Sequence, residues 1–413
     1  MTLMKKDFLE AMREAQSRVQ AHSSSEIQLF HHNDTDGLSS AAILSRAFER
    51  RAYKVNRFSL EKPYPQVLER VFEASGRIIV FVDFAGKIAP MIARMNSGKN
   101  LVLILDHHPA EASGDRQVIN LDAELFGLKG DRDISASAVA YLFAVSWDQS
   151  NRDLVHLGVL GAVGDGFLVE GRLAGINREL LEEASDLELI LVKESRSLDQ
   201  RYKEEYQIRL NELHNATELC NVLDSLGGVG YYNGGADIGV RVCLQGLDKT
   251  TKNYANILLQ QRDISFSREL EHLTGGALRE SEHIQWFDLA DRFSPMGVKM
   301  VGVFCNSIKN MDFLDPDKYL AGFQTIPNQI PGFGPIEFDS TKISMRVSDQ
   351  LTEEIRAERK PGLVDFLPPA AEAIGGFADA CHRLSAAATV RIGREENLIK
   401  EMERLLSSDM RKK

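Results

Sequence analysis

The sequence of 413 residues has few cysteines, no long apolar run and no excess of positive charge. Its four cysteines contain no Cys-x-x-Cys pair, so neither a zinc finger nor a disulfide framework is expected. No apolar run approaches the roughly 20 residues that a membrane-spanning helix needs. A formal net charge of −11 argues against binding nucleic acid through a broad basic surface. It leaves a metal-dependent nuclease open, because such a site is acidic and its basic groove can be local.

The size and composition are those of an ordinary soluble protein. A length of 413 residues allows two or three domains, and 43% hydrophobic with 26% charged residues is a typical balance. The N-terminal segment MTLMKKDFLEAMREAQSRV has acidic residues within a helical apolar periodicity. It therefore predicts an amphipathic helix rather than a signal peptide. With no expected membrane segment and no disulfides, we expect a cytoplasmic protein.

Three apolar segments, each predicted to be a buried strand, end in acidic residues or histidine. Ile27–Phe30 leads into His32-Asn33-Asp34-Thr35-Asp36-Gly37, Arg77–Val82 leads into Asp83, and Leu101–Leu105 leads into Asp106-His107-His108. Helical patterns separate these segments, which indicates a parallel sheet covered by helices on both faces. The carboxyl ends of parallel strands share one edge of the sheet, where ligands bind in such folds. We therefore expect these side chains to converge.

The converging residue types favour a divalent metal site. A further acidic residue, Asp165, stands between two glycines after a helical run and could close the cluster. Carboxylates with a minority of imidazoles suit Mn²⁺ or Mg²⁺. The four aspartates Asp34, Asp36, Asp83 and Asp165 carry more negative charge than one divalent ion balances, so two ions are expected. Paired ions of this kind are the usual apparatus for hydrolysing phosphate esters.

In this order, the four motifs resemble those of the DHH phosphoesterase superfamily. That superfamily includes RecJ single-strand exonucleases, oligoribonucleases, cyclic-dinucleotide phosphodiesterases, exopolyphosphatases and family II pyrophosphatases. The resemblance covers roughly residues 27–167 and points to the superfamily rather than to one member. It implies the following roles: His32 and Asp34 hold one metal, Asp36 and His107 hold the other, Asp83 bridges the two, Asp165 completes the second site, Asp106 orients a histidine, and His108 stabilises the phosphoryl oxygens.

The predicted architecture is an α/β domain joined by a helical connector to a smaller α+β domain. Residues 1–176 would form the metal-binding DHH-type domain. The charged sequence of residues 177–226 predicts long connecting helices, and residues 227–413 would form the C-terminal, substrate-binding domain. The predicted strands of this last part are Ile238–Leu244, Val298–Phe304, Lys318–Phe323 and Lys342–Val347.

The C-terminal half resembles the family less closely. Many family members carry a Gly-Gly-His segment that grips the substrate, whereas here Gly375 and Gly376 precede Phe377, and the nearest histidine is His382. Either His382 takes over this contact or the protein grips its substrate differently. The run Ser344-Met345-Arg346 resembles a Ser-x-Arg strand of that domain, where Arg346 could hold a phosphate bidentately. The expected substrate-binding residues are Arg346, Gly375, Gly376 and His382.

The sequence thus predicts a phosphodiesterase that depends on two Mn²⁺ or Mg²⁺ ions. Its expected substrate is single-stranded nucleic acid or a short oligonucleotide, degraded as by an exonuclease. One alternative is hydrolysis of a small phosphate compound, such as a cyclic dinucleotide, pApA, polyphosphate or pyrophosphate. Another is a non-catalytic scaffold that binds a replication or repair protein. The intact ligand set counts against the scaffold, because a scaffold has no need of four aspartates crowded at one edge.

Overall fold

A computed structural model describes residues 3–196, 202–378 and 381–410. The chain divides into two compact units, Met1–Leu258 and Leu259–Lys413. The helices are α1 (Leu3–Ala21), α2 (Thr35–Arg50), α3 (Pro65–Val71), α4 (Ala89–Asn96), α5 (Ala136–Trp147), α6 (Val155–Gly164), α7 (Gly175–Asp186), α8 (Ala216–Asp224), α9 (Gly235–Gln245), α10 (Lys249–His272), α11 (Lys299–Ile308), α12 (Asp349–Arg356), α13 (Leu363–Ala373) and α14 (Glu395–Met410). The strands are β1 (Glu26–His31), β2 (Lys54–Ser59), β3 (Ile78–Val82), β4 (Leu101–Asp106), β5 (Val118–Asp122), β6 (Ile190–Arg196), β7 (Tyr202–Arg209), β8 (Leu213–Asn215), β9 (Arg279–Glu280), β10 (Ile284–Asp288), β11 (Tyr319–Thr325), β12 (Gln329–Ile330), β13 (Gly334–Pro335), β14 (Ser340–Arg346), β15 (Phe377–Ala378) and β16 (Ser385–Arg391).

The first unit is built on a five-stranded parallel sheet in the order β2-β1-β3-β4-β5, flanked by helices. The central strands β3 and β4 are buried at every position, as expected for strands covered on both faces. The predicted α/β class is therefore confirmed. The edge strand β5 was not predicted, because its five residues VINLD contain an Asn and an Asp and do not form a continuous apolar run.

Helix α2 holds the first motif against the sheet. The side chain of Asp34 caps the helix by accepting a hydrogen bond from the Gly37 N–H at 3.1 Å. Every residue from 35 to 45 of this helix is buried. Because Ser39, Ser40, Ala41 and Ala42 are small, α5 and α6 can pack closely on this part of α2. The beginning of α2 is thereby fixed on several sides.

The segment 177–226 is not the helical connector that the sequence predicted. Between α7 and α8 it forms an antiparallel sheet in the order β6-β7-β8, and residues 197–201 lie outside the described residues. The charged run of β7 alternates, with Glu204, Tyr206 and Ile208 buried, which is the period of a strand. Glu204 is buried because Arg178 and the Tyr206 hydroxyl bind its carboxylate at 2.7 and 2.9 Å. From the sequence alone, a glutamate that is buried and paired cannot be distinguished from one that is exposed on a helix.

Residues 227–258, which the sequence analysis assigned to the C-terminal domain, lie within the first unit. A π-helical turn, Ser225–Val229, follows α8 directly. The predicted strand Ile238–Leu244 is wrong, because these residues belong to helix α9. The buried residues Ala236, Gly239, Val240 and Cys243 follow helical spacing. Tertiary packing on α2 outweighs the strand preference of the valines.

The second unit contains a six-stranded sheet in the order β15-β16-β14-β11-β10-β9. Strands β10 and β11 are parallel, and the other pairs are antiparallel. Apolar residues of this sheet pack with those of α12, α13 and α14 to form the core. The predicted strands at 318–323 and 342–347 correspond to β11 and β14. The predicted strand Val298–Phe304 is wrong, since most of it lies in α11, where Val301, Phe304, Cys305 and Ile308 are buried at helical spacing.

Among the helices of the described residues, none is long and apolar enough to cross a bilayer.

The core of the second unit provides a test of its packing. Ile343 on β14 is fully buried, whereas Ile392, just after β16, is 47% exposed. We expect Ile343→Ala to lower the free energy of unfolding by about 2–5 kcal/mol, because it removes buried methyl groups and leaves a cavity. The matched Ile392→Ala should change it by about 0.5 kcal/mol or less. Urea unfolding of the full chain measures both, and equal losses would contradict this core.

Candidate metal centre

The structure brings the six predicted metal-binding residues together at one edge of the parallel sheet. Strands β1, β3 and β4 are neighbours, so the residues at their carboxyl ends meet. Two groups form, in each of which one ligand atom per residue lies within 4.8 Å of the others. The first group is His32, Asp34 and Asp83, and the second is Asp36, His107 and Asp165.

The first group centres on the imidazole of His32. Its Nδ1 lies 2.8 Å from Asp34 Oδ2 and 3.5 Å from Asp83 Oδ2. Asp34 uses its other oxygen, Oδ1, to cap helix α2. One carboxylate oxygen therefore fixes the loop, while the second faces the group.

The second group centres on His107. Its Nε2 lies 3.4 Å from Asp165 Oδ2, 3.5 Å from Asp83 Oδ1 and 3.9 Å from Asp36 Oδ2. Its Nδ1 lies 2.6 Å from the Gly130 carbonyl oxygen, so Nδ1–H donates to that oxygen. In the neutral ring, this hydrogen bond places the proton on Nδ1 and leaves Nε2 free to bind a cation.

Asp83 directs one oxygen to each group, which is the geometry of a bridging ligand. The residue is 3% exposed and has a left-handed backbone, with φ of +67°, a conformation that costs energy outside glycine. Burial, together with the charges of Asp34 and Asp36, raises the pKa of Asp83 well above its usual range. A strained and buried carboxylate of this kind needs a positive group beside it.

The first turn of helix α5 fixes the carboxylate of Asp36 by hydrogen bonds. Its two carboxylate oxygens accept hydrogen bonds from the N–H groups of Ala136 and Ser137, at 2.8 and 2.9 Å. These donors lie in the first turn of α5, where a negative charge is favoured. Burial and the charge of Asp165 nevertheless raise the pKa of Asp36 to about 6. A Cβ at Gly161 would collide with this carboxylate, so glycine is required there.

These residues fit divalent cations. Asp83 Oδ2 and His107 Nε2 are buried and have no hydrogen-bond partner among the described residues, although buried polar atoms are normally satisfied. Burial lowers the pKa of His107, but Asp165, Asp36 and Asp106 outweigh it and raise that pKa to about 9. The carboxylates thus attract positive charge strongly. Oxygen ligands with a minority of imidazoles suit Mn²⁺ or Mg²⁺.

Asp106 and His108, the two predicted catalytic residues, lie beside the metal groups. Asp106 Oδ1 accepts hydrogen bonds from the His107 N–H at 2.9 Å and from His108 Nδ1 at 2.8 Å, and its Oδ2 accepts one from the Gly86 N–H at 2.9 Å. Burial opposes ionisation of Asp106, but these partners outweigh it and lower its pKa. Burial and His107 likewise lower the pKa of His108, but Asp106 outweighs them and raises it to about 9. Asp106 therefore keeps His108 oriented and protonated.

Asp122 belongs to the same edge, although the sequence analysis did not identify it. It ends β5 directly opposite Asp106 in the strand register. Its Oδ1 accepts a hydrogen bond from the Glu124 N–H at 2.9 Å, whereas the buried Oδ2 has no partner in the described part of the chain. Burial and the charge of Asp106 raise its pKa to about 8. In the sequence, Asp122 could have been recognised as an aspartate at the end of a strand, but the strand β5 was not predicted.

The predicted substrate-binding residues lie in the second unit and do not form a single cluster. Arg346 is paired with Ser385 in the strand register, and the His382 N–H donates to the Ser385 carbonyl oxygen at 2.9 Å. Gly376 instead packs against the carbonyl oxygen of Thr389. That position is four residues further along β16, roughly 13 Å away. His382 therefore lies at the same end of the strand as Arg346, and the Gly375-Gly376 turn at the other end.

The side chain of Arg346 is half-buried and has no carboxylate partner among the described residues. Its Nη1 donates to the Met345 carbonyl oxygen at 2.8 Å, and no ion pair of this arginine occurs within the described ranges. A Cβ at Gly302 would lie 3.0 Å from Nη2, so the side chain packs closely on α11. Burial lowers the pKa of Arg346. A half-buried guanidinium lacking a negative partner is suited to bind an anion.

Comparison with known proteins agrees with these motifs. Residues 26–162 match the family model described as "DHH family, N-terminal domain". This segment of the chain is therefore similar to the N-terminal domain of the DHH family. An uncharacterized protein of Methanocaldococcus jannaschii is 29% identical over 172 residues, which are 40% of this chain. The match spans only 38% of that relative's length, so its remaining parts have no counterpart in this alignment.

Two solved structures share the fold of this chain. A crystal structure of the exonuclease RecJ bound to manganese has 16% sequence identity and a TM-score of 0.57, covering 98% of this chain and 94% of that chain. CDC45 from Entamoeba histolytica has 10% identity and a TM-score of 0.58, covering 98% of both chains. At these identities the similarity establishes the fold and leaves the activity open.

The raised pKa of Asp122 predicts a pH-dependent stability. In the unfolded chain this carboxyl ionises near 3.8, and in the folded protein near 8. Between these values the folded state binds the extra proton, so the contribution of Asp122 to stability falls as pH rises from 5 to 8. We expect Asp122→Asn, which keeps the shape without the charge, to stabilise the protein more at pH 8 than at pH 5. The difference should be at least about 1 kcal/mol, the equivalent of one pKa unit.

Thermal unfolding in EDTA at pH 5, 6.5 and 8 measures this effect without bound metal. The control is Asp248→Asn, which alters a surface carboxylate that accepts a hydrogen bond from the Thr251 N–H at 2.7 Å. The Thr251 hydrogen bonds lower the pKa of Asp248, so this variant should show the wild-type pH profile. Identical profiles for Asp122→Asn and wild type would contradict a neutral Asp122.

Proposed function

We propose that this protein is a metal-dependent phosphodiesterase, acting as a RecJ-like exonuclease on single-stranded nucleic acid or short oligonucleotides. The observation that carries the proposal is the position of Asp83, with one oxygen in each of two ligand groups. This arrangement suits two Mn²⁺ or Mg²⁺ ions sharing a carboxylate. Bound there, such a pair supplies an activated water and stabilises the oxygens of an in-line displacement at phosphorus.

The residues around the metal groups have complementary tasks in this proposal. His32, Asp34 and Asp83 would hold one ion, and Asp36, His107 and Asp165 with Asp83 would hold the other. His108, kept protonated by Asp106, would donate a hydrogen bond to a phosphoryl oxygen and offset its charge. His108 is the main cause of the lowered pKa of Asp106, and the Gly86 N–H, which donates to it at 2.9 Å, adds a smaller effect. The chain thus supplies both the metal cage and a cationic donor beside it.

Substrate binding would rest on local contacts rather than on overall charge. The net charge of −11 disfavours a broad basic surface. Arg346 is a described cation suited to a phosphate, because its guanidinium is half-buried and lacks a carboxylate partner among the described residues. Its own proposed role is bidentate binding of one phosphate group. An exonuclease described as bound to manganese shares this fold, which makes exonuclease activity in Mn²⁺ the first activity to test.

One observation favours a second candidate, the hydrolysis of a small phosphate compound. The Gly375-Gly376 turn is followed by Phe377, and it lies four strand positions away from the level of Arg346. The second unit therefore departs from the family pattern for gripping substrate. Cyclic dinucleotides, pApA and polyphosphate remain the substrates to test beside nucleic acid. A scaffold for a replication or repair protein is disfavoured, because all six metal-binding side chains are present and assembled.

Hydrolysis in Mn²⁺ should separate these functions. The panel comprises single-stranded DNA and RNA labelled at either end, a pentanucleotide, cyclic di-AMP and polyphosphate. We expect stepwise shortening of a single strand from one end, and at least about a hundredfold loss with Asp83→Ala, because the shared carboxylate is removed. The label that is released first gives the polarity.

The matched control is Asp248→Ala, which removes an exposed carboxylate with no part in either ligand group, and it should retain full activity. Activity confined to cyclic di-AMP, pentanucleotide or polyphosphate would replace the exonuclease with the small-substrate hydrolase. A wild-type protein that binds no Mn²⁺ in equilibrium dialysis and hydrolyses nothing would overturn the phosphodiesterase.

Arg346 can be tested separately from the metals. We expect Arg346→Ala to raise KM for the substrate by about tenfold to a hundredfold, since a charge-assisted hydrogen-bonded pair contributes about 1.5–3 kcal/mol. Arg346→Lys should recover only part of this loss, because an ammonium cannot bind a phosphate bidentately. The Mn²⁺ dissociation constant should stay unchanged in both variants. An unchanged KM in Arg346→Ala would exclude this residue from substrate binding.

A further inference from the structure

We propose that Asp224 is a positioning residue for the metal-binding loop His32–Asp36, acting through Thr35. The inference rests on the proposed metal centre and extends it to a carboxylate almost 190 residues further along the chain. Asp224 is in neither of the two ligand groups. Its function is to hold the backbone that presents the ligands.

The loop alternates between ligands and anchors. His32, Asp34 and Asp36 face the metal groups, and the two residues between them, Asn33 and Thr35, are fully buried. Each of these anchors binds the segment that ends α8 and forms the π-helical turn Ser225–Val229. The orientation of three ligands therefore depends on two contacts with one distant segment.

Thr35 provides the first contact. Both its backbone N–H and its hydroxyl donate to Asp224 Oδ1, each at 2.9 Å, and the hydroxyl also lies 3.3 Å from the Cys220 carbonyl oxygen. Thr35 is the first residue of α2, where a carboxylate is favoured by the unpaired N–H groups and by the helix dipole. A hydrogen bond to an ionised acceptor is also stronger than a neutral one. Asp224 therefore fixes this residue firmly.

Asn33 provides the second contact. Its side-chain Nδ2 donates to the Gly227 carbonyl oxygen at 2.8 Å. A Cβ at Gly227 would collide with the Asn33 carbonyl oxygen, so the turn and the loop are in direct contact. Glycine is needed at 227 for this approach.

Thr35 also packs against Gly164, the residue that precedes the predicted metal ligand Asp165. A Cβ at Gly164 would lie 2.5 Å from Thr35 Cβ, which places the residue before Asp165 directly against Thr35. Helix α8 also contacts α6, the helix that ends at Gly164, since Cys220 Sγ lies 3.8 Å from the Leu160 carbonyl oxygen. Asp224 thereby fixes the beginning of α2 relative to the end of α6. These are the two positions that place Asp36 and Asp165 on either side of His107.

Manganese affinity tests the proposal directly. In the full chain, isothermal titration with MnCl₂ should show at least about a tenfold weaker dissociation constant for Asp224→Ala, the effect typical of groups that orient metal ligands. Asp224→Asn keeps an oxygen acceptor and should recover most of this affinity. Asn215→Ala is the matched control. It removes the cap at the other end of α8, where the side chain accepts from the Glu218 N–H at 3.2 Å, and it should leave Mn²⁺ binding unchanged.

A purely structural role predicts a different pattern. If Asp224 only stabilises α8, Asp224→Ala and Asn215→Ala would lower the melting temperature alike and leave the Mn²⁺ dissociation constant at the wild-type value, which would overturn the proposal. If Asp224→Ala does not fold, Thr35→Val replaces it, because that variant loses the hydroxyl donor while keeping the volume. Wild-type Mn²⁺ affinity in Thr35→Val would then overturn it.

Activity distinguishes this inference from the proposed function. With Asp224→Ala, hydrolysis should be weak at low Mn²⁺ and should return towards the wild-type rate at saturating Mn²⁺, because the ligands remain and only their placement is loosened. A wild-type protein that neither binds Mn²⁺ nor hydrolyses any substrate would overturn the proposed function, and the inference with it. An active wild type whose Mn²⁺ dependence is matched by Asp224→Ala would overturn the inference alone.

Discussion

The mutual repulsion of buried carboxylates at the edge of the parallel sheet is the constraint on which the first unit depends. Asp36 and Asp83 are almost fully buried, and burial together with neighbouring charges raises the pKa of both. His107 responds in the opposite direction, because the same carboxylates raise its pKa to about 9. Such a cluster is costly without positive charge. It is the arrangement expected of a protein that folds around sites for divalent cations.

The surrounding structure can be understood as support for this cluster. The first turn of α5 donates two N–H groups to Asp36, the Gly86 N–H donates to Asp106, and Asp224 accepts from Thr35. Close approach at Gly161, Gly164 and Gly227 lets these elements come near enough to make the contacts. Asp34, Asp36 and His107 are each oriented by a hydrogen bond to a backbone group. This rigidity is what a preorganised metal site requires.

The second unit contains a cation without a carboxylate partner. Arg346 is half-buried and makes no ion pair in the described part of the chain, whereas in the first unit burial and neighbouring carboxylates raise the pKa of Asp36 and Asp83. Neither arrangement contributes to stability in isolation, because burying an unpaired charge is unfavourable. Both become favourable when an ion or a phosphate binds. In both units, therefore, charged groups that lower the local stability favour the binding of charged ligands.

The sequence alone determined the parallel sheet, its three motif-bearing strands and the six residues that gather at its edge, because continuous apolar strands and the order of the motifs are local features. Only the tertiary structure decided what surrounds them. Asp122 was missed because it ends an edge strand with too few apolar residues to be recognised. The strand β7 was mistaken for helix because Glu204, buried against Arg178, looks in sequence like a solvated glutamate. Asp224 could not be connected to Thr35 from sequence, since their hydrogen bonds join residues 189 positions apart. Periodicity reports burial along one element, whereas these contacts arise from packing between elements that are distant in the chain.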